Sequence, residues 1–230
     1  MTALGLPGIV PAMRWKVGVI VMAGVALLAG CASSTAAPAA GPDTTPTPSE
    51  SNSAAVSGMY TSDGFAVPFT VIVSDLVTFE PHEPGPEQVT WESPIDPNDR
   101  IRFVAPVAVF PPGSETPIDP PADYASYLRG LAQYGAVIAD EASIEVDGQT
   151  VPVFTITSTA DLNGSIGCIA NAGKDDNDCF GAHPDLYLRV AVIPVQGKTV
   201  LAWARSDPAA PNLELVASFE KMLQTAHFGS

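Results

Sequence analysis

The order of hydrophobic and polar positions divides this chain of 230 residues into three zones. Residues 17–29 form an uninterrupted run of small and apolar side chains. Residues 32–58 are mostly Ala, Ser, Thr, Pro and Gly, a composition typical of an extended, flexible tether. From residue 59 onward, short apolar segments alternate with turn-forming residues. This pattern predicts a single globular domain over residues 59–230.

The first part of the domain carries the pattern of β-strands. Enrichment in β-branched and aromatic residues predicts strands over residues 65–77, 88–93 and 100–110. Pro68 cannot donate a hydrogen bond to a neighbouring strand, so it favours an edge position for the first of them. Arg100 and Arg102 alternate with Ile101 and Phe103. This alternation places both arginines on the more solvent-exposed face of their strand.

Two hairpins are predicted in the second half of the domain. Their strands are 143–146 with 150–158, and 186–195 with 198–205. Asp147-Gly148 takes the positive φ angles of a type I′ turn at little cost, and Gln196-Gly197 occupies the corresponding place in the second hairpin. The segment around Trp203 is apolar on both faces, so we expect this strand to be covered on both sides.

Two helices complete the predicted fold. Asp119 and the two prolines after it are typical of a helix start, and tyrosines and leucines then recur at helical spacing over 119–134, up to Gly135. These tyrosines are expected to form either a packing face or the rim of a ligand site. An amphipathic segment over 212–226 should cover one face of the sheet. The predicted fold class is therefore α+β with a central, mainly antiparallel sheet.

The end of the apolar run carries Leu28-Ala29-Gly30-Cys31, the pattern of a bacterial lipoprotein signal. The 13 apolar residues before it are too few for a permanent membrane span and indicate a signal peptide over residues 1–30. A buried core helix is the competing interpretation. Acylation of Cys31 predicts a protein lipid-anchored to the extracytoplasmic face of the cell membrane. Residues 31–58 are then a disordered tether, either plain or O-glycosylated.

The chain is strongly acidic. Its formal net charge is -15, and it becomes -17 when residues 1–30, which hold Arg14 and Lys16 and no acidic residue, are removed. A surface of this sign repels the phosphates of nucleic acids and anionic lipid head groups, so we expect no nucleic acid among its partners.

The cysteines form an even pair once Cys31 carries lipid. Cys168 and Cys179 then remain in an exported, oxidising compartment, which predicts a disulfide worth about 3 kcal/mol on the chain-entropy model. No metal site is predicted, because there is no Cys-x-x-Cys motif and only His183 lies nearby. The loop between the two cysteines is acidic, with Asp175, Asp176 and Asp178. These residues lack the EF-hand spacing, so a solvated loop is favoured over a calcium site.

No catalytic array is apparent in the sequence. Ser165 lies near two glycines without the spacing of a Gly-x-Ser-x-Gly nucleophile elbow. The three histidines fall in separate segments. We therefore assign no catalytic residue and no cofactor. A secreted serine hydrolase or accessory factor that uses Ser165 and a histidine is kept as an alternative hypothesis.

The order of elements, together with the lipoprotein signal, resembles the LpqN-type lipoproteins of mycobacteria and related actinobacteria over about residues 60–228. The residues that carry the resemblance at the chain end are Phe219, Met222, Leu223 and Phe228. The resemblance implies a PsbP-like α/β/α sandwich, which that family shares with a eukaryotic Ran-binding transport factor. It also implies a non-catalytic module that binds protein or lipid-like partners at the cell envelope.

We accordingly expect a membrane-anchored envelope lipoprotein that binds an envelope protein or a lipid or glycolipid ligand. The ligand site is expected between the first helix and the sheet. Its predicted residues are Tyr124, Tyr127 and Trp203 as apolar walls, and Arg102 and Arg205 as contacts to an anionic head group. The competing interpretation of Trp203 is a plain core residue, and a third hypothesis is an envelope structural protein without a ligand site.

Overall fold

The computed structural model describes residues 58–82, 84–170 and 177–229. The predicted signal peptide, Cys31 with the tether up to residue 57, and the loop residues Asp175 and Asp176 lie outside this range. The helices are α1 Tyr124–Gly130 and α2 Leu213–Gln224, and a 3-10 turn at Leu131–Tyr134 follows α1. The strands are β1 Met59–Ser62, β2 Phe69–Ile72, β3 Gln88–Glu92, β4 Arg100–Val104, β5 Ala136–Val146, β6 Gln149–Ser158, β7 Gly167–Cys168, β8 Cys179–Phe180, β9 Tyr187–Val195, β10 Lys198–Ser206 and β11 His227–Phe228.

Six strands form the main sheet, in the order β3-β4-β10-β9-β6-β5, and every neighbouring pair is antiparallel. Both predicted hairpins are present in it. Asp147 and Gly148 have φ angles of 49° and 72°, and Gln196 and Gly197 have 51° and 76°. Left-handed angles at both turn positions match the right-handed twist of the flanking strands, which is why a two-residue connection suffices. The predicted α+β class with an antiparallel sheet is confirmed.

An apolar core lies on each face of the main sheet. On one face, α2 packs with the small sheet β1-β2-β11 against Ala202 and Ala204 of β10. On the other face, α1 and the connection between β6 and β9 pack against Leu201 and Trp203. The expectation that this strand is covered on both sides is therefore confirmed. The layers follow the predicted α/β/α order.

Helix α1 begins later than predicted. Its N-cap is Asp123, whose Oδ1 accepts a hydrogen bond from the backbone N–H of Ser126 at 2.9 Å, and not Asp119. A residue that precedes a proline is disfavoured in the helical region, so Pro120, which precedes Pro121, cannot readily serve as the first helical residue after Asp119. The C-terminal end follows the prediction, because the 3-10 turn stops at Gly135 with φ 106°. Neither helix in the described ranges is long and apolar enough to cross a bilayer.

Two strands are shorter than predicted because of prolines. The segment 65–77 contributes only β2, which is the central strand of the small sheet and not an edge. Pro68 lies just before β2, so it removes no hydrogen bond from the strand pairing, and its carbonyl accepts from the N–H of Gly229 at 2.7 Å. Strand β4 ends at Val104, two residues before Pro106. The N–H of Val107 then donates to the carbonyl of Cys168 at 2.8 Å, where the chain has already left the sheet.

Candidate anion-binding site

Three arginines gather on one face of the main sheet, along β4 and β10. Arg102 lies opposite Trp203 across the β4–β10 ladder, and Arg205 lies opposite Arg100. Because side chains alternate along a strand, these four residues share the face whose core includes Trp203. The alternation along β4 was visible in the sequence. The pairing that brings Arg205 to the other two arginines depends on the sheet order.

The connection between β6 and β9 covers this part of the sheet. Its short strands β7 and β8 pair with Cys168 opposite Cys179, and a disulfide joins these two residues. The predicted disulfide is therefore confirmed. Phe180 follows Cys179 directly, and the centroid of its ring lies 5.3 Å from that of Trp203. The disulfide thus lies beside an aromatic contact that links the connection to the sheet.

A pocket of about 140 Å³ lies between the sheet and this connection, and we call it the Arg102 pocket. Three predicted residues line it, namely Arg102, Trp203 and Arg205. Phe180 and His183, which the sequence did not indicate, complete its polar and aromatic lining. Sites for drug-sized ligands measure roughly 300–1,000 Å³. The Arg102 pocket is thus large enough for a small head group and too small for a long acyl chain.

Arg102 is held by its neighbours on two sides. Its Nε donates to Thr90 Oγ1 at 2.7 Å, and its guanidinium carbon lies 4.4 Å from the centroid of the Phe180 ring and 5.8 Å from that of Trp203. Within the described residues, the terminal nitrogens of this guanidinium have no hydrogen-bond or carboxylate partner. Burial, with repulsion from Arg100 and Arg205, lowers the pKa of Arg102 to about 10. The group is therefore charged at neutral pH and available to a ligand.

The positive charge around Arg102 is only partly compensated. Arg100 has the carboxylate of Glu92 at 3.8 Å, while its own Nε is buried without a hydrogen-bond partner. Arg205 has no carboxylate within 4.0 Å in the described part of the chain. Burial and then repulsion from Arg100 lower the pKa of Arg205, and Asp185 and Asp96 act against this shift from a longer distance. An anion placed between the guanidinium groups would relieve this repulsion.

The two predicted tyrosines of α1 do not line the Arg102 pocket. Tyr124 is 2% exposed, and its hydroxyl donates to the carbonyl of Ile166 at 2.8 Å. The hydroxyl of Tyr127 donates to the carbonyl of Ser165 at 2.6 Å. Burial raises the pKa of both hydroxyls. Ile166 itself lines the pocket, so Tyr124 supports its wall from outside. The five predicted residues therefore do not form one site.

Ser165 and His183 line a smaller cavity of about 60 Å³, where the hydrolase hypothesis would place a nucleophile. Ser165 is 3% exposed, and its Oγ accepts from the N–H of Phe110 at 2.9 Å. His183 Nδ1 lies 3.2 Å from Asp161 Oδ2. No hydrogen bond joins Ser165 to His183 among the described residues. The serine hydroxyl is engaged in fixing a loop, which differs from a nucleophile activated by an adjacent base.

Within residues 58–82, 84–170 and 177–229, no three metal-ligating side chains lie close enough together to hold a metal ion. Of the acidic side chains predicted in the disulfide loop, only Asp178 is described. Its carbonyl accepts a hydrogen bond from the N–H of Ile169 at 2.8 Å, so its backbone extends the β7–β8 pairing.

A larger cleft of about 620 Å³ is lined by prolines and small side chains. Its prolines are Pro106, Pro120, Pro121 and Pro194. Among the described residues of its lining, Lys198 is the one cation and Glu87 the one acid, and the Nζ of this lysine donates to the carbonyl of Ala66 at 3.3 Å. Specific ligand sites combine apolar walls with a few convergent polar groups. By that criterion the Arg102 pocket is the better candidate despite its smaller volume.

Comparison with known proteins gives a likeness in fold only. Neither a scan against protein-family models nor a comparison with curated proteins gave a match. Among solved structures, the chain is similar to cyanobacterial PsbP from Synechocystis, whose structure was determined in solution. The similarity has a TM-score of 0.39 at 12% identity and covers 76% of this chain and 94% of that one. The neighbour bears the name of the PsbP-like fold that the sequence resemblance implied.

Proposed function

We propose that this protein is a lipid-anchored cell-envelope lipoprotein whose domain is a non-catalytic binding module for an anionic lipid or glycolipid. The observation that carries the proposal is the convergence of Arg102 and Arg205 on one pocket, with no carboxylate partner for either among the described residues. Guanidinium groups bind carboxylates and phosphates through paired, charge-assisted hydrogen bonds. Phe180 and Trp203 offer apolar surface to the carbon atoms next to such a head group.

The lipoprotein signal and the tether support the same function. A flexible chain with the length of residues 31–58 has a root-mean-square span of about 30 Å. A domain held at this distance by the acylated Cys31 stays within reach of the lipid head groups of its own membrane, which raises their effective concentration at the pocket. We also propose that the protein is a lipoprotein of the LpqN type.

The experiment is mass spectrometry of the lipids that co-purify with the full chain from its own envelope. Wild-type protein is expected to carry an anionic lipid or glycolipid, and the double variant Arg102→Gln, Arg205→Gln is expected to lose it. Gln keeps much of the side-chain length and removes the charge. The matched control is Arg129→Gln, which removes a partly exposed arginine that pairs with Glu141 away from the pocket.

Two results would contradict the proposal. One is the absence of any anionic lipid from the wild-type protein, and the other is equal lipid on the double variant. A co-purifying envelope protein that binds both forms equally would replace the lipid hypothesis with a protein partner.

A further inference from the structure

The backbone of Phe180 is held in place by strand pairing, although the residue lies in the long connection between β6 and β9. It pairs with Gly167 in the β7–β8 ladder, next to the pair formed by Cys168 and Cys179. Its carbonyl accepts a hydrogen bond from the N–H of Ile166 at 2.6 Å. The disulfide is covalently adjacent to it. Movement of this residue therefore requires the two short strands to separate.

The ring of Phe180 lies over the guanidinium of Arg102, with 4.4 Å between the guanidinium carbon and the ring centroid. Arginine has many rotamers, and each ordered arginine loses conformational entropy when it binds a ligand. The Phe180 contact and the Nε hydrogen bond to Thr90 restrict Arg102 before any ligand arrives. Arg102 therefore lines the pocket with a guanidinium group that is already restricted.

We infer that Phe180, held by the Cys168–Cys179 disulfide, is a positioning residue that presets Arg102 for the anionic ligand. This inference rests on the proposed function of the Arg102 pocket. It assigns the disulfide a role in ligand affinity in addition to its role in stability. Reduction by a dithiol converts the disulfide into two thiols while the dithiol becomes a disulfide, and it removes the covalent link across the β7–β8 pairing that holds Phe180.

The test is calorimetric titration of the full chain with monomeric dihexanoyl phosphatidylglycerol, a short-chain anionic phospholipid. Phe180→Leu keeps an apolar side chain and removes the aromatic face, so we expect affinity to fall about tenfold. Phe180→Trp keeps an aromatic face and should bind within about threefold of wild type. Phe79→Leu makes the same chemical change at a half-exposed ring outside the pocket and should leave affinity unchanged.

Rescue by Phe180→Trp separates positioning from folding, because a purely structural requirement for phenylalanine would not be met by a larger ring. Wild-type affinity in Phe180→Leu would overturn the inference, as would equal weakening in both Phe180 variants. Wild-type protein reduced with dithiothreitol gives a second measurement without substitution, and unchanged affinity there would also overturn it. Failure of the oxidised wild type to bind the phospholipid would instead contradict the proposed function itself.

Discussion

Arg102 shows how a charged side chain is retained on a largely apolar face of a sheet. A buried charge without a partner is costly, and a single contact to an aromatic ring returns about 0.5–2 kcal/mol. The hydrogen bond to Thr90 and the Phe180 ring therefore offset only part of the cost. Burial and repulsion from the neighbouring arginines still lower the pKa of Arg102 to about 10. A bound anion would favour the charged guanidinium and should raise this pKa again.

Ser165 gives a residue-scale prediction against the hydrolase alternative. Its buried hydroxyl accepts from the N–H of Phe110, so we expect a fluorophosphonate probe not to label the purified protein. Ser165→Ala should instead lower the free energy of unfolding by about 1–3 kcal/mol, because it leaves that buried N–H unpaired. Covalent labelling at Ser165, detected by mass spectrometry beside a known serine hydrolase as positive control, would restore the hydrolase hypothesis.

At the scale of single elements, the start of α1 is set by Asp123. Asp123→Ala should lower the urea midpoint of unfolding at neutral pH, whereas Asp119→Ala should leave it unchanged. Hydrogen bonds from Ser126 lower the pKa of Asp123 in the folded protein. A carboxyl group whose pKa is lowered by folding stabilises the folded protein at pH values above its unfolded-state pKa, which is about 3.9 for Asp. This stabilisation is lost as the pH falls through the folded-state pKa. The difference between wild type and Asp123→Ala should therefore shrink below about pH 4.

This prediction is checked by urea titrations of the wild type and both variants across that pH range. A lower midpoint in Asp119→Ala with no change in Asp123→Ala would contradict the observed cap.

Elements whose signals are local could be predicted from the sequence. The turns at Asp147-Gly148 and Gln196-Gly197 fixed both hairpins, since glycine at the second turn position accepts a positive φ angle. The closing helix followed from its apolar spacing and begins at its N-cap Asn212. The helix start at Asp119 was wrong because Pro120, which would be the first helical residue, precedes Pro121 and is therefore disfavoured in the helical region.

Features that depend on tertiary placement could not be predicted in the same way. Phe180 and His183 lie in a connection without periodicity, and only the packing of that connection against β4 and β10 brings them to Arg102. The sequence predicted that the tyrosines of α1 share one face of the helix. Where their hydroxyls point depends on the positions of the carbonyls of Ser165 and Ile166, which only the folded structure shows. The apolar strand carrying Trp203 was predicted correctly as covered, while its role as a pocket wall required the sheet order.

At the scale of the whole molecule, the net charge of -15 is unfavourable to anionic ligands, yet the proposed ligand is an anion. The distances involved decide which effect prevails. At physiological ionic strength the screening length is about 8 Å, so carboxylates spread over the surface act weakly on a ligand in the pocket. In the proposed complex, the contacts to Arg102 and Arg205 would be made at hydrogen-bond distance in a partly buried site, where screening is smaller. The overall charge should therefore slow association more than it weakens the bound state.

The proposed anchor makes a prediction about location. Cys31→Ser removes the thiol that is acylated in a lipoprotein, so the variant should lose its covalent lipid and leave the membrane fraction. The measurement is immunoblotting of membrane and soluble fractions, with mass spectrometry of the mature N-terminal peptide. A neighbouring Ser33→Ala variant serves as the control and should remain at the membrane. Membrane retention of Cys31→Ser would contradict the lipid anchor.

The central claim is that the Arg102 pocket binds an anionic head group, and calorimetric titration of the full chain with three ligands tests it most directly. Dihexanoyl phosphatidylglycerol and the zwitterionic dihexanoyl phosphatidylcholine have the same chains, and inorganic phosphate has no chain. We expect saturable binding of the phosphatidylglycerol, weaker binding of the other two, and at least about a tenfold loss of phosphatidylglycerol affinity in the double variant Arg102→Gln, Arg205→Gln. Equal affinity of wild type and double variant, or equal affinity for both phospholipids, would contradict it.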